Sequence, residues 1–506
     1  NNETRKLHGD LHGLTICSIF ALPITIPHHA MSFNDRSFGW AQLAYMLLVT
    51  VAALIWPGAG FWTTVSSLMG VWIVVSLLYQ YTRYRNSAGW WTLLAATTAL
   101  SIGVIVNVWY FTTASGVTVS DPVLNNYDAR DYFDSSMAVF SDAEAQPTHH
   151  RMAIARFIAQ IWDITGVSIF SPIVVNMTMV LAAVIVSGLI SERMLRGVTG
   201  RSPQWVTTCA MIMTAGVCYY LNSGTVLLKD AAVAMAMALC VFGLTGIPHP
   251  FADRCNRGLA VGCFCVGILL LAMARFQYIW IVVAGIFVLT LFAGGRRWSF
   301  PAVLLALCGV AWLLVERNVA TAVDAGTIMS DALEGPIMRS AWFFGDIPGH
   351  EFYERYVNNS YFYWPVWKKL LWLPVSAVTQ YLIPFPWNYI RDTNFGPTLA
   401  YAHFAYPWYA VGSLVLYFIG GCIRRAPREL TAWTAWAVMA WLLPAYMVAG
   451  TVSRYGLPFL PMLVPAAVYV AAQCTRLKSW RAWTAIYAVA LAVTLIVSHH
   501  LQSSAI

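Results

Sequence analysis

The sequence predicts an all-α, polytopic membrane protein with about 13–14 transmembrane helices. Three observations carry this. Only 10% of the 506 residues are charged, against about 25% in soluble domains, and the mean hydropathy is +0.63. Apolar segments of roughly 17–22 residues recur along the chain, each long enough to cross a hydrocarbon core. Between them, short basic clusters alternate with acidic and aromatic stretches, the pattern that orients a multi-pass protein by keeping Lys and Arg in the cytoplasm. No alternating pattern of about ten residues recurs, which argues against an outer-membrane barrel.

The formal net charge of +8 lies mainly in short loops, so it reads as topology rather than as a nucleic-acid footprint. None of the ten cysteines forms a C-x-x-C pair, and most sit in or beside apolar segments, as small buried side chains do. The first apolar run meets Pro23, Pro27, His28 and His29 with no clear cleavage site, so no signal peptide is expected.

Five regions follow from the pattern. Residues 1–111 hold N-terminal spans at 40–57, 62–81 and 90–112, after a marginal segment at 14–30. Arg83 and Arg85 place the loop after the second of these in the cytoplasm, so the next loop is an outer one. Residues 112–168 form that outer acidic loop and an amphipathic juxtamembrane helix. In the helix, over 148–165, Ile154, Phe157, Ile158, Ile161 and Trp162 share one face, while Arg151, Arg156 and Asp163 interrupt the other.

Residues 169–316 form a central bundle, with spans at 169–190, 204–221, 226–246, 259–274, 277–294 and 299–316; the second and third of these read as a tight hairpin. Residues 317–402 contain the longest polar stretch and an apolar segment at 370–390. Pro374, Pro384 and Pro386 interrupt that segment, as in a re-entrant or membrane-lying element. Residues 403–506 close the chain with spans at 404–421, 431–449, 457–473 and 482–498. This topology gathers every unusual polar stretch on one face of the membrane.

The chain is organised around the acidic loop. Residues 121–151 set Asp121, Asp128, Asp131, Asp134, Asp142 and Glu144 beside Arg130, His149, His150 and Arg151, with Tyr127, Tyr132, Phe133 and Phe140 interleaved. The interleaved rings suggest a segment folded against the membrane rather than a tether. Asp128 and Asp131 stand three apart and share a helical face, which Asp134 continues. Two readings stand: a solvated charged surface, or a site in which one carboxylate deprotonates an acceptor hydroxyl.

Other polar residues have paired readings too. Lys229-Asp230 is either an ion pair at a helix start or a lysine facing a lipid phosphate. Arg275 either snorkels to the interface or grips an anion with two hydrogen bonds. Trp387, in LIPFPWNYIRD, and the aromatics at 353–367 form either an interfacial belt or a surface for sugars and isoprenoid tails. Arg454 and Tyr455, in SRYGLPFLP, either anchor a span or line a site mouth. His149, His150 and His350 lack ligand spacing, so a divalent metal is possible but no metal ligand is assigned.

Together these pieces resemble the GT-C class of integral-membrane glycosyltransferases. The likeness lies in YDARDYFDSS followed by an amphipathic helix, then LLKD before a span, then SRYGLPFLPMLVPAA, over roughly residues 120–475. It implies a GT-C-like fold with outer-face loops and a polyprenyl-phosphate sugar donor. The acceptor would be a glycan, lipid or protein. It also implies a catalytic base at Asp128 or Asp131, and lipid phosphate held by Lys229, Arg275 and Arg454. Arg130, Asp134, His150, Trp387 and Tyr455 join these as expected substrate-binding residues. Three or four apolar segments precede the acidic loop here, where the class has one. That departure leaves room for the related O-antigen polymerase type, which joins diphosphate-linked repeat units. A transporter or flippase is the remaining alternative, although no internal repeat supports it.

Overall fold

A computed structural model of the chain describes residues 35–55, 61–82, 84–114, 127–141, 149–168, 170–217, 224, 227, 229–246, 254–275, 277–293, 366–382, 399–447, 456–473 and 479–503, some of them as backbone alone. The expected segment at 14–30, the span at 299–316, the polar stretch up to residue 365, Pro384 and Pro386 lie outside the described residues.

Among the described residues the protein is all-helical, with no strand. In chain order the helices are α1 (Asp35–Ile55), α2 (Phe61–Gln80), α3 (Ser87–Ala114), α4 (Tyr127–Phe140), α5 (His149–Thr165), α6 (Phe170–Leu195) and α7 (Pro203–Gly216). They continue with α8 (Asp230–Gly246), α9 (Arg254–Arg275), α10 (Gln277–Ala293), α11 (Val366–Leu382) and α12 (Leu399–Tyr417), which runs on as a π-turn over Phe418–Cys422. The series ends with α13 (Arg428–Met447), a 3₁₀ turn at Leu457–Phe459, α14 (Leu460–Gln473) and α15 (Trp480–Ser503).

Among the described residues, five stretches, Ser37–Leu54, Ser87–Ile105, Phe170–Leu195, Arg257–Arg275 and Trp480–Val497, are long and apolar enough to cross a membrane. Their exposed faces are apolar as well: Leu259, Val266 and Leu269 on α9, and Ile486, Val489, Val493 and Ile496 on α15, lie open at the surface. In water such faces would be costly, and a bilayer removes that cost. The chain divides into two compact units, residues 1–44 and 45–506. The first is described only from residue 35, as the opening turns of α1.

In the second unit α8 is the innermost element: all its residues but Met235 are buried. It runs parallel to α6. Pro172 and Asn176 near the start of α6 share a pocket with Lys229 and Ala232, and Arg193 near its end donates to the Phe242 carbonyl at 2.9 Å. The same guanidinium lies 3.7 Å from the centre of the Phe242 ring. Helix α9 runs back along α8 through a seam of glycines. A Cβ on Gly243 would meet the Ala260 carbonyl at 2.7 Å, and one on Gly267 the Ala236 carbonyl at 2.8 Å. Such close backbone approach is how apolar helices pack in the absence of a hydrophobic driving force.

Two expectations are corrected. Among the described residues, the segments expected to pair as a tight hairpin at 204–221 and 226–246 do not pack extensively on each other; α6 packs on both α7 and α8 instead. Small groups at the α6–α7 contact explain this. Gly188 opens directly onto Thr207 and Met211, and the Ser187 hydroxyl meets Thr214 Oγ1 at 2.7 Å. Nor does Pro374 interrupt its segment, because it lies inside the continuous helix α11. A missing proline amide is tolerated where neighbouring helices support the turn, and α11 packs on α13 and α12. There the Tyr381 hydroxyl donates to the Tyr409 carbonyl at 3.1 Å and meets the Tyr487 hydroxyl, tying α11, α12 and α15 together.

Candidate functional site

The acidic segment is helical over Tyr127–Phe140, and it packs on α5 through aromatic edges rather than hanging free. Phe133 and Phe140 meet Trp162 at ring-centre distances of 5.1 and 6.0 Å, both edge-on. The Trp162 indole is fully buried and donates to the Ser168 carbonyl at 2.7 Å, which fixes where α5 ends and α6 begins. Helix α5 is two-faced as its sequence suggests: Ile154, Ile158 and Trp162 are buried, while Arg156 and Asp163 are exposed. The pair α4–α5 sits beside the starts of α6 and α8, and α5 also touches α9.

Between these elements lies a narrow cleft, partly open to the outside, with a cavity volume of about 10 Å³, room for about one water. Its polar contributors are Lys229, Asn176 and Tyr132; the walls are Ile154, Phe157, Ile158, Ile161, Leu227 and neighbouring apolar groups. Lys229 is the charged side chain on this otherwise mostly apolar wall.

Lys229 is only 8% exposed, and its Nζ stands 5.8 Å from the centre of the buried Tyr132 ring. Its carbonyl accepts the Val233 amide at 3.0 Å, so it caps the start of α8. This is the wrong end of a helix for a cation. The macrodipole favours carboxylates at an N-terminus and cations at a C-terminus. Asp230, in the first turn, obeys that rule, and so does Arg275, the last residue of α9. Lys229 breaks it while buried, and a residue that violates local preference inside a pocket points to use rather than to stability. If Lys229 serves a ligand rather than the fold, Lys229→Met is expected to cost the ligand-free protein less than about 2 kcal/mol. A thermal melt in detergent reads this, and a loss above about 2 kcal/mol would mark the lysine as structural.

Arg275 lies next to this start of α8. Its Nη1 is 3.9 Å from Asp230 Oδ1 and donates to the Tyr278 hydroxyl at 3.4 Å, with the guanidinium carbon 5.4 Å from the Tyr278 ring centre. Tyr278 in turn stacks on Phe459 at 5.4 Å and 30°. Phe459 is fully buried, and its amide donates to the Gly456 carbonyl at 3.1 Å. Phe459, in the last part of the SRYGLPF run, therefore lies against Tyr278 beside Arg275.

Of the expected site residues, Lys229 lines the cleft, and Arg275 meets its neighbour Asp230 without itself lining the cleft. It places Asp134 on the exposed side of α4. Asp128, Arg130 and Asp131 occupy the first turns of α4, and His150 the first turn of α5, as backbone positions only. Trp387, Arg454, Tyr455 and His350 lie outside the described residues. Among the described residues no group of three or more His, Cys, Asp or Glu is placed to hold a metal. Sequence reasoning passed over Asn176, whose only signal is a lone carboxamide in an apolar helix. It passed over the buried ring of Tyr132 as well, noted only as one of several interleaved aromatics. No protein-family model matches the chain, and no curated protein or solved structure is significantly similar to it.

Proposed function

We propose that the chain is an integral-membrane glycosyltransferase of GT-C-like build. It would transfer a sugar from a polyprenyl-phosphate-linked donor to a glycan, glycolipid or protein acceptor on the extracytoplasmic face. The observation that carries this reading is buried Lys229, opening into an apolar-walled cleft beside the acid-bearing helix α4. A prenyl chain suits the apolar wall, and its phosphate suits Lys229 with Arg275 close by; Arg454 would complete the set.

In the reaction, the acceptor oxygen forms a bond to the anomeric carbon. Its proton passes to the carboxylate of Asp128 or Asp131. The bond from the anomeric carbon to the phosphate oxygen breaks, and its electron pair leaves with the polyprenyl phosphate. Lys229 and Arg275 stabilise the charge that grows on that phosphate. A divalent ion would be an addition to this scheme and is assigned no ligands.

The test supplies the full-length protein in lipid nanodiscs with a polyprenyl-phosphate sugar labelled in the sugar. Release of unlabelled polyprenyl phosphate with label in a water-soluble or lipid acceptor supports the proposal. In liposomes, passage of the intact labelled lipid between leaflets without bond cleavage would instead make the protein a flippase. Consumption of diphosphate-linked oligosaccharide alone would make it a polymerase.

A further inference from the structure

We infer that the arginine-rich end of the bundle holds an anionic glycerophospholipid, whose phosphodiester joins the start of the peripheral helix α15 to the turn between α12 and α13. The sequence stretches 423–430 and 474–482 carry six basic residues, Arg424, Arg425, Arg428, Arg476, Lys478 and Arg481, against one acid, Glu429. The fold brings the α12–α13 turn and the start of α15 to the same end. Helix α15 runs antiparallel to α12. The Tyr487 hydroxyl donates to the Tyr409 carbonyl at 2.8 Å, the Trp483 indole donates to the Ser413 carbonyl at 3.3 Å, and Ser479 Oγ meets the Tyr417 hydroxyl at 2.5 Å. Beyond Tyr417 the chain turns tightly. The Arg425 and Ala426 amides donate to the Cys422 carbonyl at 2.9 and 3.0 Å, and Thr431 Oγ1 in α13 donates to the Ile423 carbonyl at 3.3 Å.

This end is remote from Lys229. Phe459, just before α14, stacks on Tyr278 beside Arg275, whereas Tyr469, ten residues on, meets Phe418 edge-on at the α12–α13 end. Ten residues of helix cover about 15 Å. The inference is therefore independent of the glycosyl-transfer reading.

Arg424, Arg425, Arg428 and Arg481 are exposed, and among the described residues none of the four is ion-paired to a carboxylate. Clustered basic residues at the ends of membrane helices attract anionic lipid, and a guanidinium holds phosphate oxygens with paired donors. Arg424 stands about 10 Å along the axis from Tyr417, a gap that one phospholipid head group and extended arginine side chains can span. Apolar surface for the acyl chains adjoins it: Leu416 on α12, and Ile486, Val489 and Val493 on α15, are exposed. No residue of α15 from Trp480 to Val497 is buried, so the helix is held along one edge and gains from a second tie. Trp480 and Trp483 pack around the Tyr417 ring at 5.2 and 5.6 Å, as aromatics do at head-group level. A zwitterionic lipid brings its own cation against the arginines, and a free phosphate has nothing to lay on the apolar faces.

The full-length protein is placed in vesicles of equimolar phosphatidylglycerol and phosphatidylcholine and extracted in mild detergent, and the lipids that stay with it are counted by mass spectrometry. The parent is expected to retain phosphatidylglycerol over phosphatidylcholine by about tenfold. Arg424→Gln/Arg425→Gln/Arg428→Gln is expected to bring that ratio within about twofold of one, and Lys at the same three positions to keep it above about fivefold. Arg481→Gln, on the other side of the proposed lipid, should lower the ratio at least about threefold. A parent without preference overturns the inference, as does a triple Gln variant that keeps the parent ratio. An unchanged ratio in Arg481→Gln overturns the bridge to α15, and this variant alone decides should the triple variant fail to insert. Displacement of the retained lipid by soluble glycerol 3-phosphate would mark a site for free phosphate and overturn the lipid assignment.

Discussion

Asp128→Asn is expected to lower the rate of sugar transfer about 1,000-fold while leaving donor binding almost unchanged. The carboxamide matches the carboxylate in size but cannot take the acceptor proton, so the loss falls on the chemical step. Helical register singles out Asp128 from its neighbours. At about 100° per residue, position 128 lies about 40° from position 132 and about 80° from 136. Among the residues of α4 whose side chains are described, Tyr132 and Ser136 are buried, and Tyr132 is the one beside Lys229. Position 131 is turned about 100° from Tyr132, and position 134, which is exposed, lies farther round still. Asp131→Asn should therefore cost about tenfold or less. Single-turnover transfer, with donor affinity measured separately, distinguishes the two. Full activity in Asp128→Asn beside an inactive Asp131→Asn would reverse the assignment, and full activity in both would remove the carboxylate base from the scheme.

Much of the helical layout could be read from the chain alone, because apolar runs ended by charge are a local signal. The span expected at 277–294 is the helix Gln277–Ala293, and the one expected at 457–473 is Leu457–Phe459 continuing as Leu460–Gln473. The two faces of α5 were legible for the same reason: one helix carries its own periodicity. What depends on neighbours was not legible. Lys229-Asp230 and Arg275 each stood out, yet nothing local says that Asp230 meets Arg275, 45 positions away and on another helix. The place of α6 beside both α7 and α8 comes from Gly188 and Ser187, small residues unremarkable in an apolar run. Pro374 misled for the opposite reason. It is a strong local breaker, but support from α12 and α13 overrides it. Asn176 is legible only in retrospect, since an isolated carboxamide in a span gives no hint of what it faces.

The largest structural effect is expected far from any charged group, at Gly267. A Cβ there would stand 2.7 Å from Cys240 Sγ and 2.8 Å from both the Ala236 carbonyl oxygen and the Cys240 amide nitrogen. Two of those atoms are backbone, which cannot step aside as a flexible side chain can. Gly267→Leu must push α9 away from α8, at a cost of about 3 kcal/mol, near the upper end of overpacking penalties. The seam allows little relief, because Gly243 is as tightly opposed to Phe264 and Ala260. Arg275 is eight residues farther along α9, about 12 Å at helical rise, and it reaches Asp230 at the start of α8. Parting the helices lengthens a contact that is already 3.9 Å and disturbs the start of α8, where Lys229 sits. The variant should melt several degrees lower and lose affinity for a phosphate-bearing prenyl probe, although Gly267 touches no part of the site. Gly262→Leu is the control: it lies on the same helix, and its added Cβ meets nothing within 4 Å. It should shift stability by no more than about 0.5 kcal/mol and leave probe binding intact. Equal melting temperatures for the two variants would mean that the glycine seam does not hold α8 and α9 together, and that Arg275 is positioned some other way.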